Sequence, residues 1–213
     1  MTPGFIYETM GGLPGYGALL IPGSGKQVYD ELVNFNDYAG FGCMLVDTPS
    51  ENNRIVLDES GDTVLQYTLS DADKDRFRIG VAIGIRMMFL AGAKKVVIPT
   101  NENVLGLPDF DPMVGTCLTD ISQADLVEQN LQFLPNRTVL TSAHLQATNK
   151  MGPHGRGVVS LNHRLWAVNG EEVPNVYVMD SSIFPTSVGA NPMQAIYTIA
   201  KIFSERLLDG FRS

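Results

Sequence analysis

The fold of this chain is decided by one stretch near its C-terminus, VYVMDSSIFPTSVGANPM at residues 176–193. Its first four residues form an apolar run that is typical of a strand. The pair Asn191-Pro192 is typical of a helix start, because Asn is a favoured N-cap and Pro has no N–H to leave unpaired. Apolar residues then recur at helical spacing, at positions 193, 196, 197, 200, 203 and 207. The stretch therefore predicts a strand, a loop and an amphipathic helix from about residue 192 to residue 208.

The start of this predicted helix has properties that suit a ligand. Gly189 and Ala190 carry almost no side chain, so another group can approach the backbone closely. The unpaired N–H groups and partial positive charge of a helix N-terminus suit an anion or an electron-accepting ring. An ordinary capped helix after a loop is the alternative interpretation, and the residues by themselves favour that alternative.

Upstream of this stretch, helices and strands are predicted in mixed order. Ser70 and the acidic residues that follow it are typical of a helix start, so a helix is predicted over residues 70–91. Further helices are predicted at 26–35 and 122–133. Strands are predicted at 42–47, 54–58, 64–69, 94–99, 138–144, 157–161 and 164–168. This order predicts an α+β fold, with a mainly antiparallel sheet and flanking helices.

The composition excludes several classes of protein. The chain has 213 residues with a net charge of −8, and its 44% apolar and 18% charged residues are typical of a globular protein. Because phosphate binding needs clustered Lys and Arg, the acidic balance argues against a nucleic-acid partner. No apolar run reaches the length of a transmembrane helix, so no transmembrane segment is predicted. The two cysteines are too few for a disulfide framework.

The first 25 residues contain seven Gly and three Pro. This density predicts a loop-rich lead-in, or a segment wrapped over another surface. The opening residues have neither the basic nor the apolar region of a signal peptide. That favours the cytoplasm without fixing the location, because further chain can precede residue 1.

Two segments carry a resemblance to a known family. The pattern Val-Tyr-Val-x-Asp-x-Ser-x-x-Pro-Thr-x-x-Gly-x-Asn-Pro, which starts at Val176, resembles the C-terminal signature of the glucose–methanol–choline (GMC) family of flavin alcohol oxidoreductases. His144, followed by Met151 and Gly152, resembles that family's active-site segment His-x-x-Gly-Thr-x-x-Met-Gly. The form Gly-x-Asn-Pro and the Ser-Ala lead-in before His144 are most similar to the long-chain alcohol and sterol oxidase branch. The resemblance covers about residues 138–208.

The resemblance implies a catalytic pair. His144 would be the base that accepts the hydroxyl proton of an alcohol, a task that suits an imidazole near neutrality. Asn191 would be the second polar group at the substrate oxygen. The alternatives are a hydrogen-bonded histidine at a strand end and a simple helix N-cap.

The resemblance also implies residues that contact FAD. Asp180 and Ser181 would lie near the ribityl chain and pyrophosphate, although a turn-capping Asp after a strand is the alternative. Gly189, Ala190, Pro192 and Met193 would lie against the isoalloxazine ring, where the helix start would stabilise negative charge. No metal site is predicted, and His154 and His163 are interpreted as surface histidines.

The sequence departs from the family pattern in two ways. Ala147 stands where the motif has Gly and Asn149 stands where it has a small or sulfur-containing residue, and the extra methyl group of Ala147 could narrow the site. The Gly-x-Gly-x-x-Gly turn that cradles the FAD pyrophosphate is missing, since Gly23-Ser24-Gly25 has no third glycine after it.

We therefore expect a substrate-domain-like portion at residues 1–137, with residues 1–25 as its lead-in. Residues 138–213 would form an active-site and flavin-contacting segment, whose strand and helix complete the FAD domain.

The predicted function follows from these points. The chain is interpreted as the C-terminal part of an FAD-dependent alcohol oxidase or dehydrogenase, acting on a bulky apolar alcohol or sterol. FAD is expected in the complete enzyme and not on this chain alone, and the expected partners are the alcohol and a missing N-terminal FAD-binding half. The alternative is a non-catalytic residual domain that binds a partner or an apolar ligand without flavin.

Overall fold

The computed structural model of the protein describes residues 4–212. Within this range the chain forms five α-helices: α1 (Pro14–Leu20), α2 (Lys26–Val33), α3 (Asp71–Leu90), α4 (Gln123–Asn130) and α5 (Met193–Arg212). It also forms eight strands: β1 (Phe5–Met10), β2 (Gly40–Leu45), β3 (Arg54–Leu57), β4 (Thr63–Gln66), β5 (Val96–Val97), β6 (Cys117–Leu118), β7 (Arg164–Trp166) and β8 (Glu172–Tyr177). Short 3-10 helices span Phe35–Asp37 and Ser181–Ile183.

The strands of the described residues pair as four separate antiparallel ladders, β1 with β2, β3 with β4, β5 with β6 and β7 with β8. The α+β class and the antiparallel pairing are confirmed. The chain divides into two compact units, the first comprising residues up to 45 together with Ser70–Thr141, and the second comprising Val46–Leu69 together with residues from 142 onward. Whether the predicted division at residue 137 separates two functional parts stays a prediction.

The first unit is built on α3. The Ser70 side chain accepts a hydrogen bond from the Asp73 N–H at 3.1 Å and so caps this helix, as its sequence predicts. Two glycines of α3 permit close approach of β2, because a Cβ at Gly80 would lie 2.5 Å from the Cys43 sulfur. The core of this unit lies between α3, α4 and the ladder β5–β6, and consists of Ala82, Ile85, Ile98, Val104, Leu118, Ala124, Val127 and Leu131.

The second unit contains the hairpin β3–β4, the ladder β7–β8 and α5. Its buried core residues are Val159, Ile183 and Phe184, and the apolar side of α5 packs on them through Ala195, Ile196 and Ile199. The last helix is amphipathic as predicted, but its packed side differs from the predicted one, because Met193 and Tyr197 are exposed while Ala195 and Ile199 contact the core. The helix begins at Met193 and extends to Arg212. The strand predicted at 176–179 ends at Tyr177 and begins earlier, at Glu172.

The predicted loop-rich lead-in is corrected by the structure. Residues 5–10 form β1, which pairs with β2 along six residues, and α1 follows at Pro14. The cause lies in contacts distant in sequence: the Tyr7 ring packs edge-on against Phe41, with centroids 5.2 Å apart. The Tyr7 hydroxyl also donates to the Gly80 carbonyl at 2.6 Å. The Gly and Pro content of residues 1–25 gives no information about a partner strand that lies about 35 residues further along the chain.

Two predicted strands are wrong. In the segment 138–144 only Thr138 makes a bridge, to Thr100, and residues 157–161 make isolated bridges rather than a continuous strand. Their N–H groups are satisfied by irregular partners instead; Val158 N, for example, donates to the Lys150 carbonyl at 2.9 Å. An apolar run indicates side chains that suit a strand, but it does not show whether a neighbouring strand is present to form a ladder with it.

None of the helices in residues 4–212 combines the length and apolar character needed to cross a membrane.

Candidate active site

The segment that follows His144 lies beside the 3-10 helix that follows Asp180. Alternate N–H groups of this segment, those of residues 147, 149 and 151, donate to the carbonyls of residues 181, 182 and 183 at 3.3, 3.0 and 2.8 Å. The structure thus brings together two of the motifs that the sequence singled out. Both belong to the second unit, so their arrangement is set within one compact body.

Side chains add to this backbone pairing. The Ser181 hydroxyl donates to the Leu145 carbonyl at 2.7 Å, and the Asn149 amide donates to the Ser182 hydroxyl oxygen at 3.1 Å. Asn149, which departs from the family motif, therefore has a structural partner. The Ser181 hydroxyl thus fixes the backbone of Leu145, the residue that follows His144.

Asp180 acts as a cap in this structure. Its Oδ1 accepts from the Ser182 N–H at 2.7 Å, at the start of the 3-10 helix. The turn-capping alternative raised from the sequence is therefore observed. The side chain is exposed, and among the described residues its second oxygen has no hydrogen-bond donor. That oxygen is available to a hydroxyl-bearing ligand while the cap is kept.

The start of α5 differs from the predicted one by one residue. The Ile196 N–H donates to the Pro192 carbonyl at 2.9 Å, which places Pro192 at the cap position and Asn191 outside the helix. Asn191 is exposed, and its side-chain amide makes no hydrogen bond to any residue in the described part of the chain. The N-cap alternative for Asn191 is therefore wrong, because its amide satisfies none of the helix N–H groups.

The residues around Asn191 differ in burial. Pro192 is buried, whereas Met193 is 58% exposed and Ala190 is also exposed. Gly189 has a φ of +74°, in the left-handed region that favours glycine, so this position requires Gly for its backbone. The end of the loop and the first residue of α5 therefore expose the side chains of Ala190, Asn191 and Met193.

The backbone after His144 also lies in the left-handed region. Ala147 has a φ of +65° and Thr148 a φ of +80°. A left-handed conformation costs a residue with a Cβ about 1–2 kcal/mol, and a β-branched residue there is an outlier. The glycine that the family motif places at position 147 is the residue this backbone favours.

Gln146 joins the two halves of the candidate site, and the sequence reasoning missed it. Its Oε1 accepts from the Val188 N–H at 3.0 Å, and its Nε2 donates to the His144 carbonyl at 3.3 Å. It occupies a variable position of the motif, so no pattern singled it out. His144 itself is half-buried, and its predicted pairing with Asn191 at one substrate oxygen stays a prediction.

His163 is not the surface histidine that was expected. It is 9% exposed, its ring lies 4.7 Å from that of Phe203, and its Nδ1 has no hydrogen-bond partner in the described structure. Burial holds the pKa of His163 below its usual value, and the nearby Arg206 charge acts in the same direction. It lines a largely apolar cavity of about 420 Å³ beside α5. His154, by contrast, is exposed as predicted, with its ring edge against Trp166.

Comparisons with known proteins agree with the motifs. A family profile described as GMC oxidoreductase matches residues 49–200. An uncharacterized GMC-type oxidoreductase of Mycobacterium tuberculosis is 29% identical over 204 residues, which is 92% of this chain and 28% of that protein. A long-chain-alcohol oxidase of Arabidopsis thaliana is 26% identical over 215 residues, which is 98% of this chain and 26% of that protein. The chain thus spans about a quarter of the length of these relatives.

Proposed function

The chain belongs to the GMC oxidoreductase family, and from this we propose that it forms the C-terminal part of an FAD-dependent alcohol oxidoreductase. The observation that carries the proposal is the arrangement of the second unit. There the segment after His144 is hydrogen-bonded to the 181–183 turn and, through Gln146, to the loop that precedes α5. The two segments that carry the family resemblance are thus joined to each other by hydrogen bonds at two places.

The proposed substrate is a bulky, apolar primary alcohol or a sterol. Support comes from distant relatives, since two proteins named long-chain-alcohol oxidases are 25% and 26% identical to this chain. The oxidation of an alcohol requires that a hydroxyl proton and a hydride leave the substrate. His144 would accept the proton at its imidazole, and the Asn191 amide would donate a hydrogen bond to the oxygen.

The residues present fit the ring portion of FAD. The first N–H groups of α5 have no acceptor within the helix, and together with the helix dipole they favour negative charge at this end. Gly189 and Ala190 leave room beside them, and the second oxygen of Asp180 can accept from a ribityl hydroxyl. When bound, FAD would supply the hydride acceptor. The sequence offers no glycine-rich turn for the pyrophosphate, so we propose that a separate FAD-binding half supplies that contact.

The amount of exposed surface supports a missing half. The chain exposes 14069 Å² of surface. Two independent compact domains of half its mass would together expose about 11,700 Å². Large apolar side chains account for part of the excess in each unit, among them Leu19 and Tyr29 in the first and Leu161 and Tyr197 in the second. A total exposed area above that of two independent domains is expected of a chain whose partner surface is absent.

The proposal is tested in a complete enzyme that contains this chain and the upstream coding region. His144→Ala is expected to lower the rate of flavin reduction by the alcohol by about 10²–10⁴-fold, because a positioned base is lost. FAD content should stay unchanged. His154→Ala is the matched control, since His154 is exposed and its ring packs edge-on against Trp166, and its rate should stay within about twofold. An unchanged rate for His144→Ala at every pH would remove His144 from the site.

A second measurement concerns the 213-residue chain by itself. Equilibrium dialysis should show a dissociation constant for FAD of about a millimolar or weaker, because a helix start and a loop contribute only about 4 kcal/mol. A chain that keeps about one FAD through gel filtration would contradict the need for a separate half. A complete polypeptide that binds no flavin at all would favour the non-catalytic alternative.

A further inference from the structure

We propose that Gln146 is a positioning residue that holds the loop carrying Asn191 in register with the segment carrying His144. The inference rests on the proposed function, since it concerns two side chains that would act on one substrate oxygen. Gln146 is half-buried and lies two residues after His144. One side chain thus reaches both segments.

The two hydrogen bonds of Gln146 use both ends of its amide. Oε1 accepts from the Val188 N–H at 3.0 Å, three residues before Asn191, and Nε2 donates to the His144 carbonyl at 3.3 Å. A glutamine amide offers an acceptor and two donors on one rigid plane, so both bonds form together. Movement of the 188–191 loop would stretch the first bond and rotate the second.

The loop itself has little backbone support at this point. The Val188 N–H is satisfied by the Gln146 side chain, and the Gly189 N–H is satisfied by the Ser187 hydroxyl oxygen at 3.4 Å. The bond to Ser187 is local and long, whereas the bond to Gln146 reaches across 42 residues of chain. The position of the loop relative to His144 therefore depends on Gln146.

This arrangement predicts an effect on rate rather than on affinity. Displacement of a reacting group by about 1 Å can cost up to about 10²-fold in rate. Gln146→Met removes both hydrogen bonds at similar side-chain length, and we expect the rate of flavin reduction to fall about tenfold. The KM for the alcohol and the FAD content should change by less than about twofold, because both hydrogen bonds of the Gln146 amide go to backbone atoms of the chain itself.

The first readout needs only the 213-residue chain. Amide hydrogen exchange at Val188 should become at least about tenfold faster in Gln146→Met than in the unmodified chain. Gln146→Glu keeps an oxygen for the Val188 N–H, so its Val188 protection should be retained. Gln66→Met is the control, since Gln66 is exposed on β4, and Val188 exchange should not change.

The second readout uses the complete enzyme, with rate, KM and pH profile measured for the same variants. In Gln146→Glu the amide donor to the His144 carbonyl is lost when the carboxyl ionises and regained when it is protonated. Its rate should therefore recover towards low pH relative to the unmodified enzyme, which a purely structural role would not produce.

The outcomes separate this inference from the proposed function. Unchanged Val188 exchange in Gln146→Met would overturn the inference, and so would faster exchange with an unchanged rate. Faster exchange in a complete enzyme that oxidises no alcohol would support the link through Gln146 while overturning the proposed function.

Discussion

Glu102 in the first unit and Asp180 in the second both accept hydrogen bonds from backbone N–H groups. The two carboxylates differ in whether an oxygen is left without a hydrogen bond. Glu102 is 5% exposed, and its oxygens accept from the N–H groups of Gln132 and Leu134, at 2.7 and 2.9 Å, and from the Thr138 hydroxyl. Asp180 is exposed and accepts from the Ser182 N–H alone in the described structure, so one oxygen stays available.

The difference shows how the two units use polar side chains. In the first unit both oxygens of the buried Glu102 carboxylate accept hydrogen bonds from residues 132–138, because a buried polar group without hydrogen bonds would be costly. In the second unit Asp180 holds the 181–183 turn with one carboxylate oxygen and leaves the other exposed. Asn191 goes further, since its exposed amide makes no hydrogen bond within the described part of the chain. Unused hydrogen-bonding atoms are a property that ligand sites need and that buried cores contain only rarely.

The largest expected effect that would test this comparison is on stability. Glu102→Gln replaces an acceptor oxygen by an NH2 group that would face a backbone N–H, and we expect it to lower the free energy of unfolding by about 2–3 kcal/mol. Urea unfolding followed by circular dichroism measures this change. Hydrogen exchange at Gln132 and Leu134 should become faster in the same variant.

Asp180→Asn is the matched variant in the second unit. Asn caps as well as Asp does, so the loss should be below about 0.5 kcal/mol. If Asp180→Asn lowers the free energy of unfolding as much as Glu102→Gln does, the two carboxylates do not differ in how much they stabilise their units.

A smaller effect sharpens the description of the second unit. Ala147→Gly should raise the free energy of unfolding by about 0.5–1 kcal/mol, because the relief of a left-handed alanine exceeds the added entropy of the unfolded chain. The N–H of residue 147, which donates to the Ser181 carbonyl, is kept in this variant. Thermal and urea unfolding of the two chains provide the comparison.

Ala167→Gly serves as the control for that gain. Ala167 does not lie in the left-handed region, so glycine there should lower stability by about 0.4–1 kcal/mol. Equal losses in both variants would show that the backbone at residue 147 is not strained.

Much of the candidate site could be predicted from the sequence. The segments around His144 and Asp180 were identified by motif, and the structure places them side by side. The alternative interpretation of Asn191 as a helix N-cap is wrong, because α5 begins at Met193 and helix starts are uncertain by one or two residues, whereas its catalytic role stays a prediction. Gln146 could not be predicted, because its partner Val188 lies 42 residues away and nothing in the local pattern indicates the contact.

The sequence by itself determined the elements whose signals are local. Ser70 and the acidic residues after it determined the start of α3, the apolar spacing indicated α5, and two short apolar runs indicated the strands that pair as β3 and β4. Each of these depends on residues within a few positions of one another. Only the tertiary structure decided that residues 5–10 form a strand, that His163 is buried against Phe203, and that Glu102 holds residues 132–138. These features depend on contacts between distant parts of the chain, and a buried hydrogen bond is specified by the position of its partner rather than by the residues next to it.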